Sequence, residues 1–453
     1  TYAGALRGLA LGEPVGIFAS RSAESVALFL GIMQAGGCPC FMEPGLGPDA
    51  VRARMDAVGM RRIVLDGEAD ALAADLDNGE AVVRRLSHLG LTPAPSTGQG
   101  GPAPALTTAS PALLLFTSGS TGQPKAVRLT HGNLLCHADG VIERTSLTQA
   151  DRLLHVMPLH HTNGVNNQLI APFLVGASVA LVERFQPEAI EDQIGEYGAT
   201  YMTGVPTMYS RILPHLRHRA ARRSLRFLRC GSAPITPSLH RQIEAAFDVP
   251  LVVSYGLSEA TCTSTMNPPD ARRIGSVGTV LRGQQVRVCT AGTVDPIPAG
   301  AEGEVCIGGP CVMSGYVGAR SARSVHDGWV RTGDLGRFDD DGYLSITGRI
   351  KDVIIRGGEN LSPQVIEDAV TRHPAVRACC VVGGPHADLG EVPVAFVVLH
   401  DGEPPCAADV RSFVAERLPR IFVPDISLVA ALPETSMGKV DRQAVRNMLA
   451  ADD

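Results

Sequence analysis

The sequence has few of the features that mark specialised classes of protein. Its 453 residues include one tryptophan, and aromatic residues make up only 4% of the chain. The net charge is −6, with 40 lysines and arginines against 46 acids, so there is no basic excess for nucleic acid. The longest apolar stretch, residues 169–182, contains a proline and a glycine and is too short to span a bilayer. No signal peptide is visible. We therefore expect no nucleic-acid or membrane partner, and a cytoplasmic location.

Cysteine is plentiful, but its spacing argues against a disulfide framework or a zinc site. Of the eleven cysteines, Cys38 and Cys40 are one residue apart, and Cys379 and Cys380 are adjacent. The sequence has no Cys-x-x-Cys pair and no zinc-type Cys/His pattern. Buried, reduced thiols in a cytoplasmic enzyme are the favoured interpretation.

The length exceeds what one compact core accommodates, so two or three domains are expected. Near the start, strand-like and helical patterns alternate, which predicts a parallel sheet. From residue 278 the pattern changes to short alternating strands, which predict a small β-barrel. We predict an α/β protein with a large N-terminal domain, residues 1–348, that contains parallel sheets flanked by helices and the β-rich part at about 278–348. A small, mobile α+β C-terminal domain, residues 349–453, follows.

A polar loop after the apolar residues 113–116 is the main functional signal. It combines four hydroxyls, two glycines and a lysine: Thr117, Ser118, Gly119, Ser120, Thr121, Gly122 and Lys125. Glycine lets backbone N–H groups approach an anion, while hydroxyls and lysine add donors, so this composition suits a polyphosphate. It is not a Walker A loop, because Gln123 and Pro124 precede the lysine and no Ser or Thr follows it. Taken alone, an ordinary polar turn is the alternative.

Two further polar clusters follow apolar strands. Residues 159–168 form a turn rich in histidine and asparagine, whose buried polar groups need partners; the alternative is a helix start capped by Thr162 or Asn163. Residues 251–261 form a β-branched strand that ends in Tyr-Gly and a Ser-Glu pair. Ligands of α/β sheets collect at the carboxyl ends of strands, where this pair would lie.

The polar loop closely resembles the signature loop of the adenylate-forming superfamily: acyl-CoA and aryl-CoA synthetases, carrier-protein adenylation domains and luciferases. Ala126 replaces the usual glycine after the lysine. Five further motifs match the superfamily in order, at residues 255–259, 332–334, 348–349, 357–363 and 438–439. The chain is most similar to acid–CoA ligases. The resemblance implies an AMP-forming acid–thiol ligase that uses ATP and Mg²⁺.

The resemblance also implies a role for each matching residue. The loop residues 118–125 would hold the β- and γ-phosphates, and Glu259 would ligate Mg²⁺. Lys439 would be the catalytic lysine of adenylation, and Lys351 would be the hinge between the domains. Around the adenine, the positions are Ser232, Ala233 and Pro234 on one face and Tyr255 on the other, with Ser254 and Gly256 next to Tyr255. Ser258 would contact the α-phosphate, and Asp334 with Arg349 would bind the ribose. Taken singly, each has a simpler interpretation as a cap, a surface ion pair or a solvated charge.

The acceptor and the acid follow from weaker parts of the resemblance. Gly357 and Gly358 open a motif similar to that of CoA ligases, which implies a thiol tunnel and coenzyme A as the acceptor. A carrier-protein phosphopantetheine, an amine acceptor, or an inactive nucleotide-binding homologue remain alternatives. The histidine turn implies a catalytic His161 and an acid pocket that comprises His161, Asn163, Asn166, Arg229 and Gly231.

The polarity of this turn bears on the substrate. An amide-rich lining predicts a small polar or aromatic carboxylic acid instead of a long-chain fatty acid, because a lipid tunnel is lined by apolar groups. Arg229 and Arg273 are candidates to meet a second anionic group of the acid, or are surface charges.

Overall fold

A computed structural model of the protein describes residues 6, 8–76, 82–89, 105–117, 125–317, 325–400, 406–435 and 439–449. The predicted alternation of strands and helices is present from the beginning of this range. The first sheet has four parallel strands in the order β2-β1-β3-β4. These strands are β1 (Pro14–Phe18), β2 (Cys38–Phe41), β3 (Arg62–Leu65) and β4 (Val82–Arg85).

A two-stranded antiparallel hairpin follows, formed by β5 (Pro111–Thr117) and β6 (Lys125–Thr130). Thr117 pairs with Lys125 at its open end. Ser118, Gly119, Ser120, Thr121 and Gly122 of the predicted phosphate loop lie outside the described residues.

The second sheet contains seven strands in the order β13-β12-β11-β10-β9-β7-β8. Its first five strands in the chain run parallel, and the two short edge strands run antiparallel. They are β7 (Arg152–His155), β8 (Ser178–Leu181), β9 (Tyr201–Gly204), β10 (Phe227–Cys230), β11 (Leu251–Tyr255), β12 (Thr265–Met266) and β13 (Thr279–Val280). One apolar core joins the two sheets and the hairpin, through residues such as Ile17, Leu113, Val127 and Phe227.

The predicted β-rich part is a curled, open sheet of five strands, in which β15 and β17 pair at the centre. The strands are β14 (Gln285–Cys289), β15 (Gly303–Gly308), β16 (Val325–His326), β17 (Trp329–Phe338) and β18 (Leu344–Arg349). The last sheet begins immediately afterwards and has its own apolar core around Ile366, Val381 and Val410. Its strands are β19 (Ile354–Arg356), β20 (Glu359–Leu361), β21 (Val376–His386), β22 (Gly390–Leu399) and β23 (Asp425–Leu428).

Helices cover the sheets and begin where the sequence provides caps. Ser22 and Ser25 form a reciprocal capping box at the start of the first helix, and Thr130 and Asn133 do the same at the fourth. The α-helices are α1 (Ala23–Gln34), α2 (Pro48–Val58), α3 (Ala73–Leu76), α4 (His131–Thr145), α5 (Thr162–Val165), α6 (Ala171–Leu174), α7 (Ile190–Tyr197), α8 (Pro206–Ile212), α9 (Pro237–Phe247), α10 (Pro363–Val370), α11 (Ala407–Ala415) and α12 (Arg442–Leu449).

The state of the cysteines and the apolarity of the helices can be compared with what the composition predicts. All eleven cysteines are free thiols, and most of them are buried. In the described part of the chain, no helix combines the length and the apolarity that crossing a bilayer requires.

Candidate active site

Three parallel strands of the second sheet end side by side and carry the central part of the site. Strands β9, β10 and β11 run directly into Val205, Gly231 and Gly256. A Cβ at Gly231 would lie 3.0 Å from Ser254 Oγ, and a Cβ at Gly256 would lie only 2.0 Å from the carbonyl oxygen of Cys262. These glycines therefore allow neighbouring backbone segments to approach closely. This is the sheet edge at which open α/β sheets bind ligands.

Asp334 is the centre of a hydrogen-bonded cluster at this edge. It is buried, and its Oδ2 accepts a hydrogen bond of 2.7 Å from the Tyr255 hydroxyl. Its Oδ1 accepts one of 2.7 Å from Nε of Arg349, which is its cross-strand partner on β18. The structure thus brings together three residues that the sequence assigned to the nucleotide, from β11, β17 and β18.

Glu259 lies beside the end of the β5–β6 hairpin. Its Oε1 accepts a hydrogen bond of 2.6 Å from the Tyr316 hydroxyl, and the Lys125 ammonium lies 5.2 Å from the centre of the Tyr316 ring. Tyr316 therefore connects the lysine that closes the phosphate loop to the predicted metal ligand. The sequence analysis did not identify Tyr316, because it is 57 positions from Glu259 and belongs to none of the motifs.

The polar turn after β7 folds onto the same edge. Thr162 Oγ1 lies 3.2 Å from Ser258 Oγ, and Asn163 Nδ2 donates to Ser232 Oγ over 3.3 Å. The expectation that Thr162 or Asn163 caps a helix is wrong: helix α5 starts at Thr162, and the capping position is His161, which makes no capping hydrogen bond.

A single π-helical turn, Asn166–Ile170, continues helix α5. Such turns are rare and often occur at functional sites. In this turn Asn166 donates to the carbonyl of Thr261, and Asn167 donates to Asn163 Oδ1 over 3.0 Å. Both asparagines are buried. The π-turn therefore directs amide side chains into the interior of the site.

His160 and His161 lie next to each other at the start of this turn, with ring centres 4.1 Å apart. Nε2 of each ring is buried without a hydrogen-bond partner. Burial lowers the pKa of His161 to about 2, and the positive charges of His160 and Lys439 act in the same direction. His161 is therefore a neutral imidazole near pH 7, able to donate or accept a hydrogen bond but not to act as a cation.

Lys439 comes from the C-terminal part of the chain and reaches this cleft. Its backbone is fixed against Thr435, whose N–H donates to the Lys439 carbonyl over 2.8 Å. Burial and, to a smaller extent, the charge of Arg349 lower the pKa of the Lys439 ammonium to about 8, while Cys262 opposes the change. The lysine thus lies within electrostatic range of Arg349, Cys262 and His161, which all belong to the nucleotide and acid sides of the cleft.

Comparison with known proteins agrees with this geometry. The family model for AMP-binding enzymes matches residues 2–317, and that for the AMP-binding enzyme C-terminal domain matches residues 365–439. The chain belongs to the AMP-binding enzyme family.

The relatives of this AMP-binding enzyme include named CoA ligases. Sulfoacetate–CoA ligase of Cupriavidus necator is 34% identical over 469 residues, which cover 99% of this chain and 89% of the relative. Feruloyl-CoA synthase of an Amycolatopsis species is 36% identical over 341 residues, which cover 74% of this chain and 69% of the relative. The chain is an AMP-forming acid–CoA ligase.

Among solved structures, ATP-bound MatB from Rhodopseudomonas palustris matches with a TM-score of 0.90 at 29% identity, covering 99% of this chain and 91% of that one. The apo structure of the same protein matches with a TM-score of 0.82 over the same shares of the two chains. Taken over the whole chain, the structure is therefore more similar to the ATP-bound structure than to the apo structure.

Arg229, on β10, is the charged residue of the predicted acid pocket. Only 1% of it is exposed, and Nε, Nη1 and Nη2 all lack a hydrogen-bond partner. By contrast, Arg273 lies at the surface, where it forms ion pairs with Asp339 and Asp341 and stacks on Tyr343. The expectation that Arg273 meets a second anionic group of the acid is therefore not supported, since its charge is already neutralised.

The remaining predicted positions lie around or away from this centre. Ser232 has a positive φ of 66°, an uncommon backbone conformation for a residue with a side chain, and leads into Ala233 and Pro234. Lys351 is exposed in a short 3₁₀ turn between β18 and β19. Gly357 and Gly358 form the exposed turn between β19 and β20, with φ values of 57° and 88°. Their roles as hinge and thiol tunnel remain predictions.

Proposed function

We propose that this ligase activates a small polar or aromatic carboxylic acid as an acyl adenylate, and that the structure has the arrangement for this first half-reaction. The observation that carries the proposal is the position of Lys439. A lysine from the last part of the chain is partly buried and lies within electrostatic range of Arg349, Cys262 and His161. The higher TM-score to an ATP-bound relative supports the same arrangement.

In the proposed reaction, a carboxylate oxygen of the acid attacks the α-phosphorus of ATP and pyrophosphate leaves. Both reactants are anionic, so catalysis depends on positioning and on neutralising charge as it moves. Lys439 supplies a positive charge at the reacting oxygens, and Ser258 donates to the α-phosphate. Asp334 accepts from the ribose hydroxyls while Tyr255 and Arg349 fix its orientation.

Mg²⁺ fits the donor set on the protein. No cluster of three or more possible ligands occurs in the described ranges, but Mg²⁺ at nucleotide sites is commonly held by one carboxylate together with phosphate oxygens and water. Glu259 offers such a carboxylate, oriented by the Tyr316 hydroxyl. When bound there, the ion would neutralise the phosphate oxygens and stabilise the leaving pyrophosphate.

The second half-reaction, transfer of the acyl group to the thiol of coenzyme A, does not use Lys439. We propose that the part of the chain after residue 348 rotates about Lys351, withdraws the lysine and brings Gly357 and Gly358 to the cleft. Lys351 lies in an exposed turn between two separate sheets, which is the kind of position where a backbone rotation disturbs few contacts.

The acid pocket favours a small polar substrate. Asn163, Asn166, Asn167 and Gln168 are all buried around it. Their amide nitrogens have protein partners, but the carbonyl oxygens of Asn166 and Gln168 are buried without a hydrogen-bond partner. A fatty acyl chain would leave these two oxygens unsatisfied, which is costly. A planar aromatic acid remains within the proposal, because amides contact ring edges and substituents as readily as they contact short chains.

The test is ATP–pyrophosphate exchange across a panel of short-chain, aromatic and long-chain acids, followed by thioester formation with coenzyme A. We expect exchange with one or more small acids and a CoA thioester as the product. Preference for chains of ten or more carbons would contradict the proposed acid class. Exchange without thioester formation would indicate that the acyl group is transferred to a carrier protein or an amine. Absence of exchange with every acid would indicate a nucleotide-binding protein without catalysis.

A further inference from the structure

Arg229 is buried without the counter-charge that a buried guanidinium requires. Arg222 pairs with Glu191, and Arg21 donates to the carbonyls of Val182 and His155. Of the arginines with buried nitrogens in the described ranges, only Arg229 lacks a partner at all three nitrogens. An uncompensated charge in the interior is strongly unfavourable, so a protein that retains one is expected to meet an anion there.

The groups around Arg229 are also donors without acceptors. Thr203 is its register partner on β9, and Tyr201 lies two residues earlier on the same strand, so their side chains share a face of the sheet with Arg229. Thr203 Oγ1 and Tyr201 Oη are both buried without a hydrogen-bond partner. The Tyr201 phenol and the Thr203 hydroxyl can therefore both donate hydrogen bonds to a ligand that Arg229 binds.

His137 adds one more donor. Its Nε2 accepts a hydrogen bond of 3.2 Å from the Thr263 N–H, so the proton of the neutral ring is on Nδ1, which has no partner. Burial, together with the nearby charge of Arg229, lowers the pKa of His137 to about 3, which keeps this ring neutral near pH 7. The cluster therefore consists of one cation and three neutral donors: Arg229, Tyr201, Thr203 and His137.

The position of Cys262 relates this cluster to the reacting centre. Its thiol accepts from Asn167 Nδ2 over 3.1 Å, and Asn167 also bonds to Asn163 of the acid pocket. Burial raises the pKa of the Cys262 thiol, and the positive charges of both Arg229 and Lys439 oppose that rise. Cys262 thus lies within electrostatic range of both cations, Lys439 at the reacting end and Arg229 at the other.

We infer that Arg229 is the specificity-determining residue of the acid pocket and binds a second anionic group of the substrate, a carboxylate or a sulfonate. The acid is then a short dianion, with one carboxylate activated near Lys439 and the other anionic group held by Arg229, Tyr201, Thr203 and His137. This inference rests on the proposed function and names its substrate class. A ligand with several oxygen acceptors and one negative charge satisfies every unpartnered donor of the cluster.

The test compares pairs of acids of similar size, in each of which one member lacks the second negative charge. Exchange kinetics are measured with succinate and monomethyl succinate, with malonate and monomethyl malonate, and with 3-sulfopropanoate and butyrate. Wild-type enzyme is expected to prefer the dianion, and Arg229→Met is expected to lower kcat/KM for dianions by roughly 10- to 150-fold, the range for one charge-assisted interaction. The loss should appear mainly in KM for the acid, while KM for ATP and activity with the monoesters are retained. Arg273→Met, which removes an exposed arginine, is the matched control.

A second variant and a stability measurement make the result independent of folding defects. Tyr201→Phe keeps the ring stacked on Phe227 and removes one hydrogen-bond donor. It should therefore lower kcat/KM for dianions by a smaller factor than Arg229→Met does, and leave kcat/KM for monoesters unchanged. Tm of Arg229→Met should equal or exceed that of the wild type, because an unpaired buried charge is removed. Equal losses with both members of a pair, or a wild-type preference for monoanionic acids, would overturn the inference while leaving the ligase function intact. Absence of exchange with every acid would instead refute the proposed function.

Discussion

One ion pair connects the segment that carries Lys439 to the large part of the protein. Arg211 Nη2, at the end of helix α8, donates to both carboxylate oxygens of Glu434 over 2.7 and 2.6 Å. Glu434 forms a backbone bridge with Val440, so it belongs to the same short segment as Lys439. We predict that Arg211→Ala destabilises the adenylation arrangement relative to the one used for thioester formation.

The size of the effect follows from exposure. The side chains of Arg211 and Glu434 are 50% and 30% exposed, so solvent screens most of their attraction. Exposed ion pairs contribute about 0.2–1 kcal/mol to stability. That range corresponds to a factor of roughly 1.4 to 5 in the equilibrium between the two arrangements. Both contacts come from the single nitrogen Nη2, so the pair lacks the two parallel N–H···O bonds of a bidentate arginine–carboxylate pair, and the expected effect lies within this range for an ordinary exposed pair.

The assay separates the half-reactions. ATP–pyrophosphate exchange should slow by that factor in Arg211→Ala, whereas thioester formation from supplied acyl adenylate should stay the same or become faster. Raising the salt concentration should reduce the difference between variant and wild type, because the pair is screened. Arg219→Ala is the control, since Arg219 pairs with Asp248 on the surface of the large part alone. Equal slowing of both half-reactions, or the same effect in Arg219→Ala, would refute this role of the pair.

Three further predictions concern the catalytic centre. Lys439→Ala should abolish exchange yet leave thioesterification of supplied acyl adenylate largely intact. Because the pKa of Lys439 is lowered to about 8, kcat/KM for adenylation should decrease as pH rises through 8, and Lys439→Arg should shift that decrease to higher pH. Tyr316→Phe removes the hydrogen bond that orients the Glu259 carboxylate. It should raise the Mg²⁺ concentration needed for half-maximal exchange by about tenfold, the effect of losing one hydrogen bond to a charged group. An unchanged Tm is the control measurement. Gly256→Ala places a Cβ 2.0 Å from the Cys262 carbonyl oxygen, so it should lower Tm by several degrees and reduce exchange, whereas Gly328→Ala, at an open turn, should not affect exchange.

The sequence was sufficient for the parts of the fold that depend on local pattern. Alternating strand-like and helical patterns predicted the parallel sheets. The polar turn at residues 159–168 was interpreted less well. Thr162 and Asn163 are common capping residues, but the chain continues into a π-turn whose asparagines bond to the Thr261–Thr263 segment. A tertiary contact thus overrides the local capping preference.

The electrostatic character of the site depends on whether a charged residue has a partner of opposite charge in the folded protein, and local sequence does not reveal this. The sequence offered both Arg229 and Arg273 as candidates, and it favoured a surface charge for Arg273. The structure distinguishes them because two aspartates reach Arg273 from the turn after β17, whereas no partner in the described ranges reaches Arg229. Tyr316 was missed for the same reason, since its pairing with Glu259 exists only after the chain has folded.

One backbone segment connects the proposed nucleotide site to the proposed acid pocket. Gly256 lets the chain after Glu259 fold back against it, and Thr261 and Cys262 take positive φ values of 63° and 101° in doing so. The beginning of this segment carries Ser258 and Glu259, which are proposed to face the phosphates, and its end places Cys262 within electrostatic range of both Arg229 and Lys439. Since such backbone conformations are unfavourable for residues with side chains, surrounding contacts must hold them in place.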